Sequence, residues 1–271
     1  MNIVNQSKKR KPSLVRLLET RPNELYNTIR DEETRIQTLC AEIRAAIEAG
    51  ADVNEVRKGE HPLETAIKYT DEVPVISILI DAGVDVNARD KYGRTALHKA
   101  LEKYDLLEIT KKLLAAGADV NAQDKEGRTP LIELIVNDQV WLGFTDHSYK
   151  DFFSLLQDAG ADISLCDNEG KSPLHFAINS EESDMALILL EAGADPNARD
   201  SYGTTPIMRA VEWCPSGEGD SLDTICMHIR QLLEYGADIS AKDNSGFTAL
   251  DYARMHNAHT KLIRLIKDNL R

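Results

Sequence analysis

Apolar residues recur along the chain in short stretches with helical spacing, and these stretches run into glycines. Ile76, Leu79 and Ile80 precede Gly83 in this way, which predicts a helix with one buried face. A glycine at that point suits the left-handed position that ends a helix. The tripeptide Gly-Ala-Asp, or a one-residue variant, returns six times in the chain, at Gly50, Gly83, Gly117, Gly160, Gly193 and Gly236.

The spacing of these glycines is close to regular. They are separated by 33, 34, 43, 33 and 43 residues. A period near 33 residues is typical of an architecture of stacked repeats. Such a stack offers a surface rather than an enclosed pocket, so its default activity is binding.

A turn and a helix start lie between successive glycines. Residues 90–93 and four later segments have the pattern Asp-x-x-Gly, which favours a β-turn. Two residues after the turn glycine stands a threonine or serine, followed by proline at Thr129 and Ser172. These hydroxyl residues suit the N-cap, and proline suits the first helical position. Each period is therefore predicted to be a turn, a short helix and a longer helix.

These motifs resemble the ankyrin repeat, whose first helix opens with T-P-L-H-x-A. Residues 95–98 (Thr-Ala-Leu-His) and 172–175 (Ser-Pro-Leu-His) each match three of its first four positions. The resemblance implies an all-α fold, an α-solenoid of about six stacked ankyrin repeats with β-turn fingers and a degenerate N-terminal capping unit. It also implies that His98 and His175 tie neighbouring repeats together through the backbone. We expect a basic N-terminal tail over residues 1–11 and a single ankyrin-repeat domain over residues 12–271.

Three segments depart from the pattern. The first finger, residues 56–59, lacks its aspartate and is one residue short, with His61 in the threonine place, so we expect it to be irregular. Two insertions of about ten residues fall between the helices of a repeat, near residues 137–152 and 212–226. The chain's tryptophans are in or next to them. The inserted loops provide a secondary candidate binding site, made of Trp141, Phe144 and Tyr149. The alternative is that the tryptophans only cover helix ends.

Composition limits the class of protein further. The chain has 271 residues and a net charge of −13. Apolar runs all fall short of the length needed to span a membrane, and a signal peptide is not evident. The four cysteines have no framework spacing, which suits a reducing cytosol. We therefore expect a cytoplasmic protein, or one in the cytosol of a host cell if it is an injected effector.

The candidate partner-binding residues are those that the ankyrin fold would project into a concave groove of fingers and first helices. They are Arg57, Lys58, Tyr69, Lys91, Tyr92, Arg94, Lys103, Lys125, Arg128, Tyr202, Trp213 and Phe247. Basic residues predominate in the first half of this set, which predicts a partner with an acidic contact patch. The alternative is that these cations only solubilise the fingers and balance the turn aspartates.

The sequence thus predicts a non-enzymatic, monomeric module that binds another protein as an adaptor, inhibitor or effector, without catalytic residues, metal or cofactor.

One alternative is association with nucleic acid or an acidic membrane through the basic tail and fingers, which the net charge of −13 opposes. Another is partner binding through the two inserted loops. A third is an enzyme that uses His147 or His228 with the loop thiols. Cys214, Cys226 and His228 lack a recognised zinc spacing, and a buried thiol in a second helix is favoured.

Overall fold

The computed structural model describes residues 11–103, 106–137, 149–178, 184–212, 220–256 and 258–270. Its helices in chain order are α1 (Leu14–Thr28), α2 (Glu32–Glu48), α3 (Pro62–Tyr69), α4 (Val73–Asp81), α5 (Ala96–Leu101), α6 (Leu107–Ala115), α7 (Pro130–Asn137), α8 (Tyr149–Asp158), α9 (Pro173–Ala177), α10 (Met185–Glu191), α11 (Pro206–Glu212), α12 (Asp220–Glu234), α13 (Ala249–Met255) and α14 (Thr260–Asp268). They follow one another as seven pairs, and strands are absent from these ranges. The predicted all-α repeat fold is confirmed.

The first pair, α1 and α2, is the degenerate capping unit. Ser13 is the N-cap of α1 and accepts a hydrogen bond from the Arg16 amide at 3.2 Å, while its hydroxyl donates to Glu55 at 2.6 Å. Leu14 and Leu18 are fully buried, and α1 packs against both α2 and α3. The apolar side of the first complete repeat is therefore covered.

The helix boundaries follow from local chemistry. Prolines stand at the first position of α3, α7, α9 and α11, where the missing N–H has no helical partner to lose. At the other end of a repeat, Gly193 has a φ of 93°. Its amide donates to the Leu190 carbonyl at 3.0 Å, and the Ala194 amide donates to Leu189 at 2.9 Å. This arrangement satisfies carbonyls that the end of α10 would leave unpaired.

Asparagines link successive repeats. The side chain of Asn87 accepts from the Asp119 amide at 2.7 Å and donates to the Gly117 carbonyl at 3.0 Å. Three further asparagines accept from the corresponding aspartate amide of the next repeat, namely Asn54, Asn121 and Asn197. The Gly-Ala-Asp segments therefore end helices and also form hydrogen bonds to the neighbouring repeat.

The contacts divide the chain into two compact units. Unit 1 comprises Met1–Ala100 and Glu108–Asp119, and unit 2 comprises Leu101–Leu107 and Val120–Arg271. Each has its own core. Leu63 and Leu97 are buried in unit 1, and Leu131 and Leu174 in unit 2. The single domain expected over residues 12–271 stays a prediction.

The insertions differ from expectation in one respect. Helix α12 has 15 residues, whereas α4 and α6 have nine each. Much of the insertion expected over 212–226 therefore lengthens a helix, because the segment from Asp220 onward is helical. Trp141, Phe144 and Trp213 lie outside the described residues, as does the basic tail up to residue 10.

Candidate functional site

The finger aspartates build the turns from within. The Oδ1 atom of Asp90 accepts hydrogen bonds from the amides of Tyr92 at 2.7 Å and Arg94 at 2.9 Å. The Asp90 amide in turn donates to the Arg94 carbonyl at 2.8 Å. Asp124, Asp167, Asp200 and Asp243 repeat the carboxylate pattern. Their carboxylates are used in structure, as the turn motif predicts.

The first finger is a tight hairpin rather than the irregular segment expected. Arg57 and Glu60 exchange two backbone hydrogen bonds, each of 3.0 Å. Between them, Lys58 and Gly59 have φ values of 54° and 78°. Two successive residues with positive φ define a type I′ turn, the usual two-residue hairpin connection. Losing one residue has therefore changed the turn type and left Lys58 exposed at its tip.

We call the fingers of a unit, with the adjoining surface of its first helices, the finger face of that unit. In unit 1, two basic residues of this face contact one aromatic ring, that of Tyr92. Tyr92 is 51% exposed. The Lys91 Nζ atom lies 4.9 Å from its ring centroid and the Arg94 Cζ atom lies 4.8 Å from it. Arg94 also pairs with Asp90 at 3.0 Å. Cation–π contact and ion pairing therefore hold Tyr92 outward in a defined position.

A second aromatic–cation pair lies nearby on α3. The Lys68 Nζ atom is 4.8 Å from the ring centroid of Tyr69 and 2.8 Å from Glu60. The pairs of Lys68 with Glu60 and of Arg94 with Asp90 neutralise part of the basic charge expected from the sequence.

Between the first two fingers is a cavity of about 250 Å³, which we call the first cleft. Its lining includes Glu60, Glu64, Lys68, Lys91, Tyr92 and Lys99. Glu64 is only 5% exposed, and its Oε1 atom has no hydrogen-bond partner among the described residues. Burial, and then the charge of Asp90, raise the pKa of Glu64 to about 8 against the opposing effects of the His61 amide, Lys99 and Arg94. The carboxyl is therefore mostly neutral at pH 7.

Glu64 is a functional candidate that is absent from the residues predicted from the sequence. It occupies the third position of α3, where two other repeats carry His98 and His175. An acid in place of that buried histidine is the signal that could have identified it. The missing hydrogen bond of its Oε1 atom is visible only in the folded structure.

In unit 2 the finger face carries more exposed aromatic surface. Tyr202 is 65% exposed and Phe247 is 42% exposed. They lie on neighbouring fingers, because the Asn244 amide donates to the Tyr202 carbonyl at 2.9 Å. A cavity of about 400 Å³ is lined by Tyr202, Arg209, Glu212 and Tyr252, among others. The Tyr252 hydroxyl donates to Asp243 at 2.9 Å.

The fingers of unit 2 are bonded to one another. The Asn168 amide donates to the Glu126 carbonyl at 2.8 Å, and the Ser201 amide donates to Glu169 at 2.7 Å. A methyl group on Gly127 would lie 2.6 Å from the Asn168 nitrogen, closer than atoms can approach. These glycines allow adjacent fingers to reach hydrogen-bonding distance.

The remaining predicted site residues are dispersed. Arg128 pairs with Glu126 at 3.2 Å, and the exposed Lys125 accepts from Asn168 through its carbonyl at 2.8 Å. Arg57 and Lys103 are half-buried. Tyr149 begins α8, where its hydroxyl accepts from the Asp184 amide at 3.0 Å at the start of α10. Tyr149 therefore has a structural contact within its unit.

His175 has the role that the resemblance implies. Its Nδ1 atom lies 3.2 Å from the Ser172 amide and its Nε2 atom lies 3.0 Å from the Thr204 carbonyl in the next repeat. Burial lowers the pKa of His175, so the neutral ring accepts at Nδ1 and donates at Nε2. His98 accepts from the Thr95 amide in the same way at 3.2 Å.

The residues considered for metal or thiol chemistry are placed differently. Cys226 and His228 are both buried in α12, as expected of a buried thiol, and His228 contacts the Ile178 carbonyl at 3.1 Å. His147 and Cys214 lie outside the described residues. Within the described ranges, no group of three or more histidine, cysteine, aspartate or glutamate side chains could hold a metal ion. Nor is any helix in those ranges long and apolar enough to cross a bilayer.

Two family models, both described as ankyrin repeats, match residues 79–133 and 144–228. The chain belongs to the ankyrin-repeat family. The human SH3 and multiple ankyrin repeat domains protein 2 is 29% identical over 221 residues, which are 81% of this chain and 9% of that protein. The Drosophila melanogaster ARF GTPase-activating protein Git is 32% identical over 94 residues, which are 34% of this chain and 12% of that protein. This ankyrin-repeat chain thus matches only a small part of each relative's length.

Among solved structures, the ankyrin repeat domain of Bcl-3, a member of the IkappaB protein family, has the same fold. The TM-score is 0.67 at 24% sequence identity, and the match covers 87% of this chain and 94% of the other. Ankyrin repeats are in general protein–protein interaction modules.

Proposed function

We propose that this ankyrin-repeat protein is a non-enzymatic module that binds another protein through the finger faces of its units. The observation that carries this proposal is the exposure of Tyr92, Tyr202 and Phe247 on the fingers. Exposed aromatic residues that recur on neighbouring fingers carry more weight than scattered ones, and tyrosine, tryptophan and arginine are the commonest interface anchors. A backbone hydrogen bond joins the two fingers that carry Tyr202 and Phe247.

The finger face of unit 1 favours a partner with an acidic contact patch. Lys58, Lys91 and Tyr92 are exposed there, on a chain whose net charge is −13. A local basic surface on an acidic protein steers an acidic partner to one face and repels it from others. We propose a monomer that acts in the cytosol as an adaptor, inhibitor or effector.

The test begins with identification of the partner by capture from native lysate and mass spectrometry. Binding is then titrated for Tyr92→Ala and Tyr202→Ala. Tyr235→Ala is the matched control, because Tyr235 is 39% exposed but follows the second helix α12. We expect at least one finger variant to weaken binding by about 1–2 kcal/mol or more, while Tyr235→Ala binds normally. Thermal melts of all three should stay close to that of the unmodified protein.

The same titration includes Trp141→Ala and Trp213→Ala, which address the two inserted loops. If these variants fold but do not bind, while the finger variants bind normally, the loops are the partner site and the proposal is wrong. A steep loss of binding with added salt would instead indicate a polyanion, since phosphate contacts release counterions.

A further inference from the structure

Two fingers of the chain carry a tyrosine before the turn glycine but differ in the residues around it. The finger of unit 1 reads Asp-Lys-Tyr-Gly-Arg over residues 90–94, and a finger of unit 2 reads Asp-Ser-Tyr-Gly-Thr over residues 200–204. In each finger the aspartate Oδ1 atom accepts from the amides two and four residues further on. The two turns therefore hold an aspartate and a tyrosine in the same backbone arrangement, with different side chains beside them.

In unit 1 the finger supplies its own cation to this arrangement. The Arg94 Nε and Nη2 atoms donate to the Asp90 Oδ2 atom at 3.1 and 3.0 Å. The Arg94 Cζ atom also lies 4.8 Å from the ring centroid of Tyr92. A guanidinium suits both contacts, because it is planar and stacks on an aromatic ring while its N–H groups pair with a carboxylate. The aspartate and tyrosine of this finger thus bind an arginine from the same chain.

In unit 2 this cation is missing, because threonine stands in the place of the arginine and serine in the place of the lysine. Asp200 is 7% exposed, and its Oδ1 atom accepts from the amides of Tyr202 at 2.9 Å and Thr204 at 2.8 Å. Its Oδ2 atom makes no hydrogen bond or ion pair with the described residues, yet it is not one of their inaccessible unpaired polar atoms. Solvent therefore reaches this oxygen. Tyr202 is 65% exposed, against 51% for Tyr92.

The residues of this finger line the cavity of about 400 Å³ in unit 2, which we call the second cleft. The charged residues of its lining are Lys171, Asp200, Arg209, Glu212 and Asp243. They carry three negative charges and two positive ones. Both cations are paired with a glutamate, Arg209 with Glu212 at 2.6 Å and Lys171 with Glu169, which lies outside the lining. The negative excess favours a cationic guest.

The two finger aspartates of the second cleft differ in what remains for a guest. The Asp243 Oδ2 atom already accepts from the Tyr252 hydroxyl at 2.9 Å, whereas the Asp200 Oδ2 atom has no such donor among the described residues. Asp200 is therefore the carboxylate of this cleft that has an oxygen left for a cation.

We infer that the second cleft binds an arginine side chain of the partner, with its guanidinium paired to Asp200 and stacked on the ring of Tyr202. This inference rests on the proposed function and specifies the chemistry of one contact on unit 2. The guest repeats, from another molecule, the contact that Arg94 makes within unit 1. Lysine fits less well, because its ammonium is a compact, strongly hydrated point charge that does not stack.

The experiment uses the full ¹⁵N-labelled chain and small probes, so it does not require the natural partner. The probes are glycyl-arginyl-glycine blocked at both ends, and the same peptide with citrulline or with lysine. We expect saturable shifts of the Tyr202 and Thr204 amides with the arginine peptide, and none at Tyr92, whose ring Arg94 already covers. The citrulline peptide has nearly the same shape without the charge and should bind at least about tenfold more weakly. The titration extends to high millimolar concentration, because a single side-chain contact gives low affinity.

Asp200→Asn removes the charge and keeps an Oδ1 acceptor for the turn amides. We expect it to weaken binding of the arginine peptide by at least about tenfold. Asp167→Asn is the matched control, since it changes the aspartate of the neighbouring finger, which does not line the second cleft. Tyr202→Ala should weaken binding by about two- to fivefold, the effect of an exposed cation–π contact.

An exchange of side chains between the two fingers is the sharpest test. Ser201→Lys with Thr204→Arg gives the unit 2 finger the sequence of the unit 1 finger, so its own arginine should exclude the peptide. Lys91→Ser with Arg94→Thr makes the reverse change and should create binding at Tyr92, seen as a new saturable shift of its amide. Thermal melts check that each variant is folded, and either exchange tests the inference if the other does not fold.

Equal binding of the citrulline peptide, or binding of the lysine peptide at least as tight as that of the arginine peptide, would overturn the inference. So would normal binding by Asp200→Asn, or a folded exchange variant that leaves the shifts unchanged. These failures are distinct from failure of the proposed function. If the finger variants lose the captured partner but the arginine peptide does not bind, only the inference is wrong. If the peptide binds as expected but the partner ignores the finger variants, the proposed function is wrong.

Discussion

The repeat that contains α3 and the repeat that contains α9 have the same helices but different polar cores. In α9 the cap Ser172 and the third residue His175 bond to each other, and His175 reaches Thr204 in the next repeat. In α3 the cap position is His61, which makes no side-chain cap bond. The third residue is Glu64, which interacts with the His61 amide but whose Oε1 atom has no hydrogen-bond partner among the described residues. Both helices form because their leucines are buried, so the polar motif links repeats rather than creating the helix.

A third repeat separates the effect of the acid from the effect of the cap. Asp251 holds the third position of α13, and the Thr248 amide donates to it at 3.0 Å and the Thr248 hydroxyl at 2.7 Å. These hydrogen bonds lower the pKa of Asp251, whereas burial raises that of Glu64. An acid at this position is therefore stabilised as an anion only where the helix keeps its hydroxyl cap.

The largest expected effect on stability comes from changing His175, which with the cap Ser172 forms the complete polar motif of α9. His175→Ala removes a buried ring and leaves the Ser172 amide and the Thr204 carbonyl without their partner, so we expect a loss of about 2–4 kcal/mol in the free energy of unfolding. Urea unfolding measures it. His256→Ala is the matched control at an exposed histidine and should change stability by less than about 0.5 kcal/mol. Similar small values for both variants would mean that His175 does not link the repeats.

The next variant, Glu64→Gln, is expected to raise the free energy of unfolding rather than lower it. Glu64 has a folded pKa of about 8 against a usual value of 4.5, so its protonated form stabilises the fold fully below pH 4.5 and that stabilisation is lost as pH rises to about 8. Glu64→Gln does not titrate. We expect it to match the unmodified protein near pH 4.5 and to be more stable at pH 9 by up to about 4 kcal/mol, the difference that a folded pKa of about 8 against 4.5 implies. Urea unfolding across this range is the measurement, and a constant difference between the two proteins would contradict it.

Asp251→Ala should lose about 0.5–1.5 kcal/mol at pH 7, the usual contribution of a cap interaction. Because the pKa of Asp251 is lowered on folding, its contribution is present above a pH of about 4 and fades as pH falls through the lower folded value. Thr248→Ala should cost a similar amount. The double variant should cost less than the sum, because both changes break the same bonds.

The smallest effect concerns the first finger. Lys58→Asn should raise stability by about 0.5 kcal/mol, because asparagine tolerates the left-handed conformation that lysine adopts there. Lys91→Asn is the control in a regular finger and should have no such benefit. Paired thermal melts compare the two, and an equal change in both would show that the turn is not strained by lysine.

Local signals predicted most of the fold. Prolines such as Pro173 and glycines such as Gly193 fix helix ends through their own backbone chemistry, so neighbours in sequence suffice. Two features of the fold could not be predicted from neighbouring residues alone. The insertion before Cys226 became helix because its apolar face is buried in unit 2, and the Lys58–Gly59 dipeptide is not a typical type I′ sequence.

The candidate site was less predictable, because the state of its side chains depends on contacts that form only when the chain folds. The sequence predicts that Tyr92 and Tyr202 project, because they are middle residues of fingers, and both are exposed. The ion pair of Arg94 with Asp90 depends on how the side chain folds back over its own turn. The state of Glu64 depends on burial by the second finger and α5, which the sequence around it does not specify.

The backbone bonds between the fingers of unit 2 have a consequence for the thermodynamics of association. A partner that docks on loops must normally immobilise them, at a cost of about 0.5–1.5 kcal/mol for each rotamer-rich side chain it orders, with loop ordering in addition. The Asn168, Ser201 and Asn244 amides have already fixed their turns to neighbouring carbonyls in the free protein. The ordering of the loop backbone is therefore largely complete before a partner arrives, and the side chains remain to be ordered. For complexes made on this face we expect a small entropic penalty from the backbone and little difference between its free and bound conformations.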